Sequence, residues 1–193
     1  YIPTKECIEL FDENDIRWTV WFEDTNISNS SGNAQMFRFC KYPGNSELYA
    51  SSAGSNFVNK AKPFRSAELY LIAAEAYFNM NKEKEANDYL KKLKASRINR
   101  YNSKNLTGAE LLESIQDERH RELIGEGFRL ADLKRWNLGF TRGTVWEDND
   151  KVIVSNFKNL HYDADDYRFV WPIPQHEIDA NPQVKQNPGY INE

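Results

Sequence analysis

The sequence predicts a mainly α-helical fold, a tetratricopeptide-like superhelix of helix pairs with irregular loops and short hairpins. An alanine-rich apolar segment at 64–81 is followed almost at once by a segment at 82–97 with one apolar stripe. Residues 100–136 repeat that arrangement. Two helices joined by a tight turn form an antiparallel pair, and pairs stack by their apolar faces. We therefore expect a loop and hairpin region at 1–62, helix pairs at 63–139 and an irregular tail at 140–193.

The helix boundaries of the second pair follow from its capping and helix-terminating residues. Thr107 with Glu110 forms a capping-box pattern, which makes Thr107 the predicted N-cap. One apolar side of that helix carries Leu111, Leu112, Ile115, Arg119 and Leu123. Glycines end a helix by taking the left-handed conformation, and here they are Gly125 and Gly127. A short partner helix at 128–136 then closes at Asn137 and Gly139.

The two ends of the chain have weaker patterns. Segments 16–22 and 34–42 have strand-like composition, and the polar stretch 28–34 between them predicts a hairpin with a long loop. Residues 42–56 read as loop. In the tail we expect one short hairpin around an acidic turn, a one-turn helix opened by Pro174, and a type II turn at 187–190.

The composition permits a core and argues against a nucleic-acid partner. The chain has 193 residues, of which 40% are hydrophobic and 28% charged, with a net charge of −4. Neutralising phosphates requires a basic surface, and no basic cluster interleaved with aromatics is present. No apolar run reaches the length of a membrane span.

Cysteine, histidine and acidic residues give no metal pattern. Cys7 and Cys40 form no CxxC pair, and no zinc set can be assembled with the three histidines. Spacing does not decide whether the two cysteines pair, so a disulfide stays open beside two unpaired thiols. The acidic run 163–166 lacks the glycine and distal glutamate of a calcium loop, and a solvated acidic loop is the favoured interpretation. We expect no metal and no cofactor.

The densest group of charges lies between residues 117 and 136. A general acid needs a raised pKa, whereas arginines beside a carboxylate keep it ionised. We therefore expect no catalytic residue here, but a structural brace between packed helices. In that brace Asp117, Glu118 and Glu122 are expected to pair with Arg119 and Arg121, and Glu126 and Asp132 with Arg129, Lys134 and Arg135. Trp136, which ends the last helix, is expected to be buried. The predicted brace residues are Glu118, Arg119, Glu122, Glu126, Arg129, Asp132, Arg135 and Trp136.

Three stretches together are similar to one known family. They are AELYLIAAEAYFNM with YLKKLKASR, then DERHRELIGEGFRLADLKRW, and finally PIPQHEIDANPQVKQNPGY. In this order, with NDIRW and KYPG before them, they resemble the C-terminal half of SusD/RagB-type nutrient-binding lipoproteins of the outer membrane. One position departs from the family pattern, since Gly125 stands where a larger apolar residue is usual.

The resemblance implies a function and a partner. Members capture glycans or other nutrients without cleaving them, and they cap a SusC-like TonB-dependent transporter. They sit on the cell-surface face of the outer membrane through an N-terminal lipid anchor, which is absent from this chain. The resemblance thus implies that residues 1–193 form the C-terminal part of a single longer domain.

Sugar sites of this kind combine exposed aromatic rings with a few polar groups. The candidate ligand-binding residues are Trp18, Trp21, Tyr42 and Tyr49, because they lie in loop-like or edge-like sequence. Two other functions stay open. A tetratricopeptide-like protein-interaction module explains the helix pairs but not the tail, and a glycoside hydrolase would need two carboxylates across a cleft.

Overall fold

The computed structural model describes residues 3–29, 32–44, 59–60, 62–141 and 161–190. The loop predicted at 42–56 falls largely outside these residues. The elements in chain order are α1 (Lys5–Glu9), α2 (Ile16–Trp21), β1 (Phe22–Asn29), β2 (Gly32–Phe39), α3 (Ser66–Asn79), α4 (Glu83–Ala95), α5 (Gly108–Glu122), α6 (Arg129–Trp136), β3 (Phe140–Thr141), β4 (His161–Tyr162), a 3₁₀ turn (Tyr167–Phe169) and α7 (Gln175–Ala180). The predicted mainly helical class is confirmed.

Helices α3, α4 and α5 enclose the apolar core. One buried cluster joins Ala74 of α3, Ala86 and Leu90 of α4, and Leu111 and Ile115 of α5. A second cluster lies at the other end of the same helices. It is formed by Ala67 and Leu71 near the start of α3, Leu93 near the end of α4, and Leu123 just after α5. The alanines allow the backbones to approach closely, because they place no large side chain between the helices. The turn between α3 and α4 uses Asn81 in the left-handed conformation, with φ of 58°.

The strand prediction for residues 16–22 is wrong, because Ile16–Trp21 form helix α2. The β-branched and aromatic composition favours a strand, but two interactions override it. The Asp15 side chain caps the helix by accepting a hydrogen bond from the Arg17 amide at 2.9 Å. Arg17 itself is drawn inward by ion pairs with residues about a hundred positions away.

A hairpin forms, but its first strand is not the predicted segment 16–22: β1 is Phe22–Asn29, so the stretch predicted as a long loop is largely strand. Strands β1 and β2 pair antiparallel in a register that runs from Phe22 opposite Phe39 to Asn29 opposite Gly32. The polar residues on either side of the turn therefore belong to the strands. Ala34 and Met36 of β2 are buried, while Asn33 and Gln35 are exposed, which is the alternation of a half-buried strand.

Helix α5 begins where the sequence predicts, but its cap is different. Thr107 is the N-cap residue, yet its side chain makes no capping hydrogen bond. The Gly108 amide instead donates to the Glu83 carboxylate of α4 at 2.8 Å. The start of the second helix pair is thus tied to the first pair. The left-handed conformation predicted for Gly125 and Gly127 is confirmed, with φ of 77° and 85°, but α5 already ends at Glu122. The predicted end of α6 is confirmed, since Asn137 has φ of 52°.

The tail is held by short local elements. Strands β3 and β4 pair antiparallel, and helix α7 begins after Pro174 as predicted. The type II turn is confirmed by Gly189, whose φ is 88°, and by the bond from the Tyr190 amide to the Asn187 carbonyl. The Gln186 side chain joins the segment before α7 to the segment after it. It accepts a hydrogen bond from the Ile173 amide and donates one to the Ile173 carbonyl, both at 2.8 Å.

Cys7 and Cys40 are free, so the disulfide alternative does not hold. Burial raises the pKa of the Cys7 thiol to about 11, which keeps it protonated and unreactive at neutral pH. Within the described residues, no helix combines the length and apolar character needed to cross a bilayer.

Two glycines of the turn after α5 offer a matched stability test. Both have positive φ, but a Cβ on Gly125 would lie 2.7 Å from Cε1 of Phe39, whereas a Cβ on Gly127 would meet nothing within 4 Å. Phe39 thus fills the space that a larger residue would occupy at position 125. Left-handed strain should cost each alanine variant about 1–2 kcal/mol. Gly125→Ala should cost about 1–3 kcal/mol more, because the Phe39 ring must move. Urea unfolding of both variants checks this, and equal losses would contradict it.

Candidate functional site

Arg17 lies at the centre of a buried group of charges, and its guanidinium contacts three carboxylates. It donates to Asp15 at 2.6 Å, to Glu118 at 2.8 Å and to Glu122 at 2.7 Å. Arg17 and Asp15 belong to the start of α2, whereas the two glutamates belong to α5. The group as a whole is called the ion cluster here, and its members are Asp15, Arg17, Lys41, Arg65, Arg97, Glu118, Arg121, Glu122 and Glu126.

Glu122 has three charged partners within the ion cluster, as many as Arg17 has. Besides Arg17, its carboxylate accepts from Arg65, which precedes α3, and from Arg97, which follows α4, with both Arg97 bonds at 3.0 Å. Glu118, one turn earlier, is fully buried and also accepts from Arg121 at 2.9 Å. Two adjacent turns of α5 therefore hold three separate chain segments by charge, those that contain Arg17, Arg65 and Arg97.

Lys41 connects the ion cluster to the molecular surface. Its ammonium pairs with Glu126 and donates to the carbonyls of Glu122 at 2.7 Å and Ile124 at 3.2 Å, so all three of its protons are used. The same ammonium lies 4.0 Å from the centroid of the Trp21 ring, within the range of a cation–π contact. The ionic contacts thus fix the position of an aromatic ring.

A second charged group ties α6 to α3. Arg119 donates from Nε to both oxygens of Asp132, at 2.9 and 2.8 Å, and Arg135 donates to Asp132 at 3.0 Å. Arg135 also forms a two-pronged pair with Glu75 of α3. The Trp136 indole donates to the same Glu75 at 2.8 Å.

Several predicted pairings within residues 117–136 are wrong. Glu118 pairs with Arg17 as well as with Arg121. Glu122 pairs with three arginines from outside the segment. Glu126 pairs with Lys41 and Arg65. Periodicity on one helix does not reveal partners that lie 25 to 105 residues away. Arg129 was expected to pair with Glu126 or Asp132. It is exposed instead and has no ion pair among the described residues. Trp136 is half-buried rather than buried.

Three carboxylates of the two groups, those of Glu122, Glu126 and Glu75, have lowered pKa values. Burial opposes ionisation of Glu122, but hydrogen bonds from Arg97 and Arg65, with the Arg97 and Arg17 charges, lower its pKa to about 2. The pKa of Glu126 is also lowered, since bonds from Arg65 and Lys41 outweigh burial, and that of Glu75 is lowered by Arg135 and Trp136. A carboxylate in this state accepts hydrogen bonds and has no proton to give at neutral pH.

Two of the four predicted aromatic residues meet in one cleft. Trp21, from the end of α2, and Tyr42, which follows β2, line it together with Lys41, Pro43, Gly44, Asn59, Lys62 and Arg65. Its volume is about 560 Å³, within the range of small-molecule sites. Trp18 lies outside the cleft lining and packs on Phe22 and Phe37, and Tyr49 falls outside the described residues. This group is called the aromatic cleft below.

The polar lining of the aromatic cleft was missed by sequence reasoning. Lys62 lies 4.9 Å from the centroid of the Tyr42 ring, and Asn59 donates to the Pro43 carbonyl at 2.7 Å. Burial, with a smaller contribution from Glu126, raises the pKa of Tyr42 to about 12, so its hydroxyl stays protonated. Short loop segments have no periodic pattern from which lining residues could be predicted. Only the KYPG stretch at 41–44, through its family resemblance, drew attention to this part of the chain. In the described part of the chain, no group of three acidic, histidine or cysteine residues could hold a metal ion.

Comparison with known proteins gives one consistent family. A family model described as "SusD family" matches residues 5–190. SusD-like protein P25 of Formosa agariphila is 30% identical over 132 residues, which are 67% of this chain and 24% of that protein. Starch-binding protein SusD of Bacteroides thetaiotaomicron is 30% identical over 129 residues, 66% of this chain and 21% of that protein.

A solved structure shows the same architecture. A SusD superfamily protein from Bacteroides thetaiotaomicron superposes with a TM-score of 0.72 at 28% identity, covering 96% of this chain and 40% of that one. The chain thus spans less than a quarter of the two curated relatives and two fifths of this solved structure.

The pKa of His120 predicts how stability depends on pH. Burial, together with the charges of Arg129 and Arg121, lowers it to about 4 from an ordinary value near 6.5. The native histidine therefore stays neutral down to about pH 4, while the unfolded chain takes up a proton below about pH 6.5. Because the unfolded state binds more protons, stability should fall as pH falls from 6.5 to 4. Below about pH 4.5, protonation of Glu122 in the unfolded chain adds a further loss.

Urea midpoints at pH 7 and pH 5 test this on the wild type and two variants. His120→Gln removes the titrating group, so its midpoint should change less between the two pH values than that of the wild type. His176→Gln, at an exposed position on α7, is the control and should follow the wild type. A His120→Gln protein with the full wild-type pH dependence would show that another group is responsible.

Proposed function

This chain belongs to the SusD family, and we propose that it forms the C-terminal part of a single-domain protein that captures glycans at the cell surface without cleaving them. The proposal includes delivery of the glycan to a SusC-like TonB-dependent transporter. It also places the whole protein on the outer face of the outer membrane, with a lipid anchor supplied by its N-terminal residues. The observation that carries the proposal is the aromatic cleft, in which Trp21 and Tyr42 come together from separate elements.

The chemistry of the aromatic cleft suits a sugar chain. A sugar ring offers apolar C–H faces that stack on aromatic rings, and hydroxyls that bond to polar groups. Trp21 and Tyr42 supply the rings, while Asn59 and Lys62 supply polar groups at the edge. Lys41 holds the Trp21 ring in place from the ion cluster, so the ring is positioned before a ligand arrives, which limits the entropy lost on binding.

Glycoside hydrolysis is not favoured by this arrangement. A glycosidase needs one carboxyl with a raised pKa as proton donor and a second carboxylate across the scissile bond. The described lining of the aromatic cleft contains no carboxylate side chain, and the nearby Glu122 and Glu126 have lowered pKa values. We therefore propose that the ion cluster is a structural brace, and that the cleft binds without catalysis.

One surface feature favours a protein contact as the second candidate function. On α3 an apolar stripe at i, i+3 and i+11 is exposed, with Leu69 at 66%, Ile72 at 48% and Met80 at 58%. A helix that is apolar around its whole circumference is normally covered on more than one side. A tetratricopeptide-like interaction module would use such a stripe for a partner helix, and binding that survives loss of the aromatic cleft would favour it.

The glycan proposal is tested by affinity electrophoresis of the whole gene product in gels that contain amylopectin, pectin, xylan or mucin glycans. At least one glycan should slow migration, and Tyr42→Ala should weaken that binding at least about tenfold, because a stacking ring is lost. The 193-residue chain alone should bind the same glycan more weakly than the whole protein. No reducing ends should be released.

Trp171→Ala is the matched control, since Trp171 is 78% exposed and does not line the aromatic cleft. It should migrate like the wild type, and both variants should keep the wild-type melting temperature within a few degrees. Retardation by no glycan, equal effects of the two substitutions, or release of reducing ends would each contradict the proposal.

A further inference from the structure

A second concave site is independent of the aromatic cleft in its residues. It is a cavity of about 340 Å³ between the segment that joins α1 to α2 and the segment that follows α4. Its wall includes Asp12 and Asn14 from the first segment, Asn99, Tyr101 and Asn102 from the second, and Lys94 from α4. It shares no lining residue with the aromatic cleft. We refer to it as the Lys94 pocket.

The walls of the Lys94 pocket are fixed by backbone contacts. The Ile16 amide donates to the Arg97 carbonyl at 2.8 Å, and the Asn99 amide donates to the Asn14 carbonyl at 2.9 Å. Arg121 adds a bond to the Leu10 carbonyl at 2.9 Å. The loop between Asn99 and Tyr101 holds Arg100 at φ of 57°, a conformation that a residue with a side chain seldom adopts. Such strain persists where the surroundings enforce it, and it is concentrated at ligand sites.

Lys94 is the side chain that indicates a ligand-binding role for this pocket. It is half-buried, and its ammonium makes one long hydrogen bond, 3.3 Å to the Ser114 hydroxyl. Among the described residues no carboxylate pairs with it, since the neighbouring Glu118 is occupied by Arg17 and Arg121. An ammonium has three donors, and the described protein atoms accept from one of them, so two are available to a ligand. Burial, followed by the charge of Arg121, lowers the pKa of Lys94 and outweighs the opposing charges of Glu118 and Asp117.

Tyr101 forms the adjoining wall and complements Lys94. The Lys94 ammonium lies 5.7 Å from the centroid of its ring. Burial raises the pKa of the Tyr101 hydroxyl, which therefore remains a hydrogen-bond donor at neutral pH. No acceptor for that hydroxyl is found within the described ranges. An ammonium and a phenol with unused donors in one pocket select a small anionic acceptor such as a carboxylate.

The rest of the lining is suited to hydroxyl groups. Asn99 and Asn102 are exposed side-chain amides, each of which offers a donor and an acceptor. One oxygen of the Asp12 carboxylate accepts from Asn14, at 2.8 Å from the amide and 3.2 Å from the side chain, and the other oxygen is left to accept. A carboxylate in the wall also disfavours a dianion such as phosphate, because like charges repel.

We propose that the Lys94 pocket binds one carboxylated sugar residue, with the sugar carboxylate on Lys94 and Tyr101 and the hydroxyls on Asp12, Asn99 and Asn102. The cavity volume falls within the range of small-molecule sites. This site adds selection for acidic sugars to a glycan-binding surface, but its existence does not depend on ligand binding at the aromatic cleft.

The test is a ¹H–¹⁵N NMR titration of the 193-residue chain with methyl glucuronide, with methyl glucoside and with acetate. The glucuronide should cause saturable shifts at Ile98–Asn102, and the affinity for the glucoside, which lacks the carboxylate, should be at least about tenfold lower. Acetate should bind at least about tenfold more weakly than the glucuronide, because it lacks the hydroxyls.

Two lysine substitutions on α4 supply the matched comparison. Lys94→Met should reduce glucuronide affinity at least about tenfold, whereas Lys92→Met, which removes an exposed lysine two residues away, should not change it. Equal affinity for glucuronide and glucoside, equal affinity for acetate, an unaffected Lys94→Met protein, or the absence of shifts at Ile98–Asn102 would each overturn the proposal. Because NMR reports the two sites at different residues, failure here is distinguishable from failure of the aromatic cleft.

Discussion

The structure depends on one buried guanidinium, that of Arg17. It joins Asp15 of its own segment to Glu118 and Glu122 on α5, and it is 2% exposed. A buried charge is tolerated only where it is paired and hydrogen-bonded, because desolvation costs several kcal/mol per ion. The surrounding arginines and Lys41 meet this condition by satisfying the glutamates from other sides. The N-terminal region and the helix pairs are therefore attached through charge.

This attachment explains why the two concave sites lie where they do. The aromatic cleft lies next to the Lys41 side of the ion cluster, where Lys41 supports Trp21. The Lys94 pocket lies on the other side, where Asp15 and Arg121 are both cluster members and lining residues. Paired charges give rigid walls, since breaking one contact leaves an uncompensated buried charge. The same pairing lowers the pKa of Glu122 and Glu126, which suits a binding surface better than a hydrolase.

Helices α3 to α6 were predictable because their signals are local. Apolar periodicity gave α3, α4 and α5, and Gly125 and Gly127 gave the turn before α6. Helix α2 was not predictable from its composition, since the cap by Asp15 and the ion pairs of Arg17 override a strand-like sequence. The partners of Glu122 were missed for a related reason: Arg17, Arg65 and Arg97 lie 25 to 105 residues away, and only the folded chain brings them together. Of the aromatic candidates, Trp21 and Tyr42 share a cleft, while Trp18 packs against the hairpin.

The most direct test of the Arg17 attachment is amide hydrogen exchange of the Arg17→Met and Arg129→Met chains. If the ion cluster fastens the N-terminal region to the helix pairs, Arg17→Met should speed exchange in α2, β1 and β2 far more than in α3 and α4, because the region opens as a unit. The exposed Arg129 has no ion pair in the described part of the chain, and Arg129→Met should exchange like the wild type. Unchanged exchange in the β1–β2 hairpin of Arg17→Met, or the same acceleration in every helix, would contradict the account.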